Sequence, residues 1–146
     1  MANPVCEVLL TQNRLKLPAD PPDLSAGAIV EFRGVVRELE AGREISGIEY
    51  ETHWSMAQYQ LTKIGNEAAA KFGLRQIIIH HRIGFVPAGE PSLLLRVVAG
   101  HRAEGFEASR WTVDELKKRV PIWKHPKFRT DNEMTRTGAA IEEHFV

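Results

Sequence analysis

"LRQIIIHHRIGFVPAGEPSLLLRVVAGHR", residues 74–102, decides the fold. Two apolar runs rich in Ile, Leu and Val flank "VPAGEP" (86–91), whose prolines and glycine mark a turn, so the stretch reads as two strands and their connection. Directly after it, "AEGFEASRWTVDELKKRV" (103–120) takes up helical spacing through Phe106, Ser109 or Arg110, Val113 and Leu116, and Pro121 ends that helix.

Upstream, "SMAQYQLTKIGNEAAAKFG" (55–73) is the other main helix: Met56, Tyr59 and Gln60, Ile64, Glu67 and Ala68 fall at helical spacing, Ser55 suits the cap and Gly73 the stop. Before it, "AIVEFRGVVRE" (28–38) and "ISGIEYET" (45–52) alternate as strands, and Gly34 suggests a bulge or a close backbone approach. The polar "ELEAGRE" between them makes the two an antiparallel pair joined by a mobile loop. "VCEVLLTQ" (5–12) is a first strand, and the Pro-rich "LPADPPDLSAGA" (17–28) is a connection with at most a short helical turn. The order is strand, strand, strand, helix, strand, strand, helix, tail. Two adjacent hairpins without βαβ alternation imply an α+β fold, with mostly antiparallel sheets and two main helices, in a single domain over residues 1–146.

Composition narrows the function. The chain has 146 residues, 43% of them hydrophobic and 26% charged, which is enough apolar material for a core of its own. Lys and Arg total 19, as do Asp and Glu, so the formal net charge is zero and no global field draws the protein to nucleic acid or an anionic membrane. Any anion binding must be local. No apolar run approaches the roughly 20 residues that span a bilayer, and "MANPVCEVLL" lacks a basic leader with an apolar segment behind it, so a cytoplasmic location is expected. The single cysteine, Cys6, lies in a strand with no Cys or His beside it and reads as packing rather than a metal ligand or nucleophile. His80 and His81 are adjacent in a strand and point to opposite faces, with no Asp, Glu or Cys completing a metal set.

Three basic clusters occupy the ends of elements, where side chains can converge. Arg37 follows the strand that carries Phe32; His101 and Arg102 stand where a strand meets a helix start, a place that favours anions; Lys117 and Lys124 flank Pro121, which turns the chain so that Lys124 can come back beside the helix. Each cluster also has a purely structural reading, since a cationic last helical turn complements the helix dipole and a His-Arg pair is common at a surface. Trp123 reads as the packing anchor behind Pro121, at a cost of about 3 kcal/mol on truncation if its indole is buried. The residues by themselves establish an α+β domain with a candidate anion pocket.

Read in order, "GAIVEFRGVVRE" (27–38), "IEYETHWSMAQ" (48–58), "HHRIGFVPAGEPS" (80–92), "VVAGHRAEGFEAS" (97–109) and "LKKRVPIWK" (116–124) resemble successive blocks of the large subunit of molybdopterin synthase, the MoaE family. The resemblance runs from about Gly27 to Lys124, roughly two thirds of the chain. It implies an α/β-hammerhead type of α+β fold, a homodimer of large subunits and a small β-grasp partner on each, giving a heterotetramer. In that family the partner's C-terminal Gly-Gly tail, activated as a thiocarboxylate, enters a pocket of the large subunit and delivers sulfur to cyclic pyranopterin monophosphate. Two transfers build the molybdopterin dithiolene. No cofactor or metal is implied, nor a sulfur nucleophile in the large subunit.

By the same resemblance Lys117 and Lys124 match the family's catalytic pocket lysines, Arg37, His101 and Arg102 its substrate-binding positions, and Phe32 a pocket-lining aromatic, while Lys118 and Arg119 face solvent. Fixed cations suit a phosphate-bearing substrate and an anionic tail, and a lysine crowded by other cations titrates low enough to act as general acid or base. Residues 125–146 depart from the family pattern, so the family's cross-dimer basic residue has only Arg129 or Arg136 as a counterpart. Two other functions suit the blocks: a non-catalytic scaffold that keeps the fold and dimer, and a binder of another phosphorylated small molecule. The joint presence of Lys117, Lys124, His101, Arg102 and Arg37 favours the enzyme.

Overall fold

A computed structural model describes residues 5–129. The elements are β1 (Cys6–Thr11), β2 (Ala28–Val35), β3 (Leu39–Glu40), β4 (Arg43–Thr52), α1 (Trp54–Phe72), β5 (Gln76–Arg82), β6 (Gly84–Pro87), β7 (Pro91–Ala99), α2 (Arg102–Arg119) and β8 (Ile122–Phe128). One sheet has the order β1-β5-β7-β2; in the other, β4 pairs with β3 and β6 and also with β8. The α+β reading holds, with two helices and mostly antiparallel pairing; β1 beside β5 is parallel.

Residues 74–102 split between the sheets. β5 and β7 pair antiparallel from Gln76↔Val98 to His81↔Leu93, but β6 leaves for β4, with Tyr50↔Gly84 and Gly47↔Pro87 in register. The corner is Gly84 at φ 92, a backbone region that glycine enters without steric cost. β7 is buried along its whole length, which explains a continuous apolar run where a half-exposed strand would alternate. One face lies under the helices, where Ile77, Ile79, Leu95 and Val97 meet Leu61, Ile64 and Leu116 in the core. Arg96, on the other face, is 3% exposed; its guanidinium donates to the Glu31 carboxylate and to the carbonyls of Pro18 and Ala19, tying the Pro-rich connection down. With its donors satisfied, the charge is tolerated there.

Four local expectations change. β2 pairs with β7 rather than β4, because a bulge between Gly34 and Val35 turns the chain out of the first sheet. The true local hairpin is β3–β4, closed by Ala41 and Gly42 with φ 50 and 79, the two positive values of a type I′ turn. Ser55 does not cap α1: His53 does, its Nδ1 accepting from the Met56 amide at 3.2 Å, while Gly73 ends the helix in the left-handed region as expected. The stretch after Pro121 is a strand, β8, running antiparallel to β4 from Thr52↔Ile122 to Ile45↔Phe128. It is an edge strand, which accommodates Pro126. The expected tail boundary at residue 125 therefore falls inside β8, and residues 130–146 lie outside the described part.

α2 approaches the first sheet closely through Gly105, Ala108, Ser109 and Thr112; a Cβ on Gly105 would meet Val30 Cγ2 at 3.0 Å. Its last turn is fastened to α1 by Arg119, which binds Glu67 through both terminal nitrogens at 2.9 and 3.2 Å and Glu115 at 3.3 Å. Arg119 is thus a helix–helix clamp rather than a solvent-facing cation; Lys118 is exposed, with Glu115 3.4 Å away.

Candidate functional site

β8 decides which lysines meet. Lys124 stands opposite Tyr50 in the β4–β8 register and shares its parity with the buried Ile122, so the side chain points to the side on which α2 ends. There it lines a cavity of about 140 Å³ with Lys117, Phe32, Tyr50, His81 and Ser92. A second recess of about 130 Å³ adjoins it, sharing Val35, Tyr50 and Lys124 and adding Arg37 and Glu40. Lys117, Lys124, Arg37 and Phe32 therefore gather in two connected recesses. Lys117 makes no ion pair with any described residue, whereas Lys124 Nζ has Glu40 Oε1 at 3.5 Å. The neighbour found at Lys124 is thus an anion, where the sequence suggested a crowd of cations.

His101 and Arg102 are elsewhere. Both are exposed at the start of α2, and sixteen residues of helix at about 1.5 Å each put them roughly 24 Å along the axis from Lys117. Arg129 closes the β8 end, its amide donating to the Glu44 carbonyl at 3.1 Å, and Arg136 lies outside the described residues. Trp123 is half-buried; the fully buried residues of that turn are Val120 and Ile122.

The inner wall is polar in a way the sequence reading missed. Tyr50 donates from its hydroxyl to Ser92 Oγ at 3.2 Å, and Ser92 donates in turn to the Gly34 carbonyl at 3.4 Å. Burial above all holds the Tyr50 phenol higher than its ordinary pKa, the Ser92 bond opposing and the Glu40 charge adding to the rise. His81 lies edge-on to Tyr50, ring centroids 5.2 Å apart, and its Nδ1 is 2.8 Å from the Arg82 carbonyl. A carbonyl only accepts, so Nδ1 carries the proton and Nε2 is left with its lone pair. His80, on the opposite face as expected, pairs with Glu7 at 2.9 Å. The one available signal for His81 was the unbroken "IIIHHR" run, in which one of two adjacent histidines must face the core.

Burial lowers the His81 pKa from 6.5 to about 4, the carbonyl bond opposing the shift. Between those values the unfolded chain binds more protons than the folded one. The neutral ring's contribution is therefore fully present above pH 6.5 and is lost as the pH falls to about 4, a change of roughly 3 kcal/mol. Urea unfolding at pH 7 and pH 4 should show this acid limb, and His81→Gln should flatten it; equal slopes in the two proteins would contradict the assignment.

Two adjoining recesses that hold two lysines and an arginine between them, with no thiol among their lining residues, can bind anions and move protons without supplying a sulfur nucleophile. Cys6 is on β1, half-buried near the Thr62 carbonyl, its pKa raised by burial first and by Glu7 second.

Comparison with known proteins adds the following. The family model described as MoaE protein matches residues 9–119. A molybdopterin synthase catalytic subunit from Oryza sativa subsp. indica is 45% identical over 102 residues, covering 70% of this chain and 53% of the rice protein. The chain thus spans about half the length of that relative. The protein of the same name from Pyrococcus abyssi is 46% identical over 100 residues, 68% of each chain. Among solved structures, molybdopterin synthase from Staphylococcus aureus superposes with a TM-score of 0.74 at 28% identity, covering 86% of this chain and 92% of that one. A complex of subunits 1 and 2 of molybdopterin-converting factor from Helicobacter pylori gives 0.63 at 20% identity, covering 88% and 92%, a likeness in fold alone.

Proposed function

Because the chain belongs to the MoaE family, we propose that it is the large subunit of a molybdopterin synthase. In this role it transfers sulfur from the C-terminal thiocarboxylate of a small β-grasp partner to cyclic pyranopterin monophosphate, forming the molybdopterin dithiolene. The observation that carries this reading is the convergence of Lys117 and Lys124 on one cavity, with Arg37 in the recess next to it.

Each group has a part. The thiocarboxylate supplies the sulfur, so the chain contributes positive charge, orientation and protons. Lys124, shared by both recesses, binds anionic oxygen and stabilises charge that develops as the acyl–sulfur bond is exchanged. Lys117, exposed at the cavity mouth, is the proton donor and acceptor at the reacting centre. Arg37 takes the cyclic phosphate and Phe32 lies against the pterin. The roughly 24 Å between Lys117 and the His101–Arg102 pair fits a homodimer in which one copy's pair completes the other copy's site. With two small partners the assembly is a heterotetramer, working in the cytoplasm; among the described residues no helix is long and apolar enough to cross a membrane.

The test is reconstitution. Purified protein, a thiocarboxylated small subunit and cyclic pyranopterin monophosphate should yield molybdopterin, and omission of any one should abolish it. Absence of product from the complete mixture would refute the synthase reading.

A further inference from the structure

One charged group in the site has no part in the chemistry above. Glu40, at the end of β3, has a side chain only 21% exposed, with Oε1 3.5 Å from Lys124 Nζ and Oε2 3.8 Å from Arg37 Nη2. Each carboxylate oxygen faces one cation, which is how a bridging anion from a ligand would arrange itself.

We propose that Glu40 is a specificity-determining residue of the anion site: in the ligand-free chain its carboxylate bridges Lys124 and Arg37, and a ligand's anionic group displaces it on binding. The proposal rests on the reading of this recess as the place where substrate binds. Three observations support it. The contacts are loose, since the carboxylates that brace the fold reach their arginines at 2.8 to 2.9 Å, in Arg96–Glu31 and Arg119–Glu67. Arg37 is also 81% exposed, and ion pairs of such exposure contribute little. Little holds β3 in place: it has two residues, its apolar side chain Leu39 is 50% exposed, and it joins β4 through the Ala41–Gly42 turn. The Glu40 carboxylate can therefore swing away without disturbing the β4–β8 pairing that carries Lys124. Finally, the Lys117 cavity has no acidic lining residue, so Glu40 marks only one of the two recesses.

The exchange sets selectivity. A ligand with an anionic group replaces one carboxylate by another acceptor and leaves both cations paired. A neutral analogue cannot, because opening the recess would leave the Lys124 ammonium, only 26% exposed, without a counter-charge. The cost of this filter is weaker binding of the correct ligand, and Glu40→Gln should reverse it.

Inorganic phosphate is the probe, titrated by calorimetry into the wild type, Glu40→Gln, Glu40→Ala and the control Glu7→Gln, whose carboxylate pairs with His80 on the far face of the first sheet. Both Glu40 variants should bind phosphate roughly five- to tenfold more tightly, and Glu7→Gln should match the wild type. In the reconstituted reaction Glu40→Gln should lower KM by a similar factor. Phosphate affinity that is equal or weaker in the Glu40 variants, an equal gain in Glu7→Gln, or no phosphate binding in any protein would overturn the proposal. The titration needs neither partner nor turnover, so an inactive reconstituted wild type counts against the synthase reading alone.

Discussion

Lys117→Ala is expected to lower molybdopterin formation by roughly 10²- to 10⁴-fold, the range for removing a positioned proton-transfer group. Its melting temperature should stay within a degree or so of the wild type. The ammonium is exposed at the last turn of α2 and makes no ion pair with a described residue, so the fold loses only a favourable charge near a helix C-terminus. Single-turnover assays beside thermal melts separate the two. Full activity in the variant would remove Lys117 from the mechanism, and a large fall in melting temperature would show it to be a structural residue.

The second large effect is on stability. Ile122 is completely buried at the first position of β8, so Ile122→Ala should cost about 2 to 5 kcal/mol in urea unfolding. It should also impair catalysis, because β8 carries Lys124 into register with Tyr50. Lys124→Ala should show the opposite division, with substrate use falling more than stability, since its partner Glu40 is a loose one. Trp123, half-buried, should cost less on truncation than the 3 kcal/mol that a fully buried indole implies. Equal losses of stability in Ile122→Ala and Lys124→Ala would contradict this account.

What the sequence disclosed follows from the range of the interactions. The stop at Gly73, the break at Pro121 and the bulge at Gly34 are backbone effects of single residues, and all three are present. The two helices were legible from helical spacing and from their stops at Gly73 and Pro121, but the stripes were misplaced: Met56, Tyr59 and Phe106 are exposed, and the buried faces run through Ala57, Leu61, Ile64 and Ala68 and through Gly105, Ala108, Thr112 and Leu116. β8 was not: "IWKHPKF" lacks alternation, contains a proline and becomes a strand only through β4, more than 70 residues earlier. The pairing of β2 was missed for the same reason, since strands adjacent in sequence need not be adjacent in a sheet. The site divides likewise. Lys117, Lys124, Arg37 and Phe32 were singled out by chemistry and resemblance, and they line two adjoining recesses, while His101 and Arg102 stand apart. Tyr50, Ser92 and Glu40 were invisible, because strand residues next to a site look like any others until the register is known.

That register has a kinetic side. Pairing Tyr50 with Lys124 closes a loop of more than 70 residues, and contacts so distant in sequence form slowly because chain entropy is lost before they are rewarded. The first sheet closes loops just as long, with Cys6 opposite Ile77 and Ala28 opposite Ala99, so β8 has no slower task than β1 or β2. During refolding, phosphate affinity should therefore rise together with burial of the core rather than ahead of it.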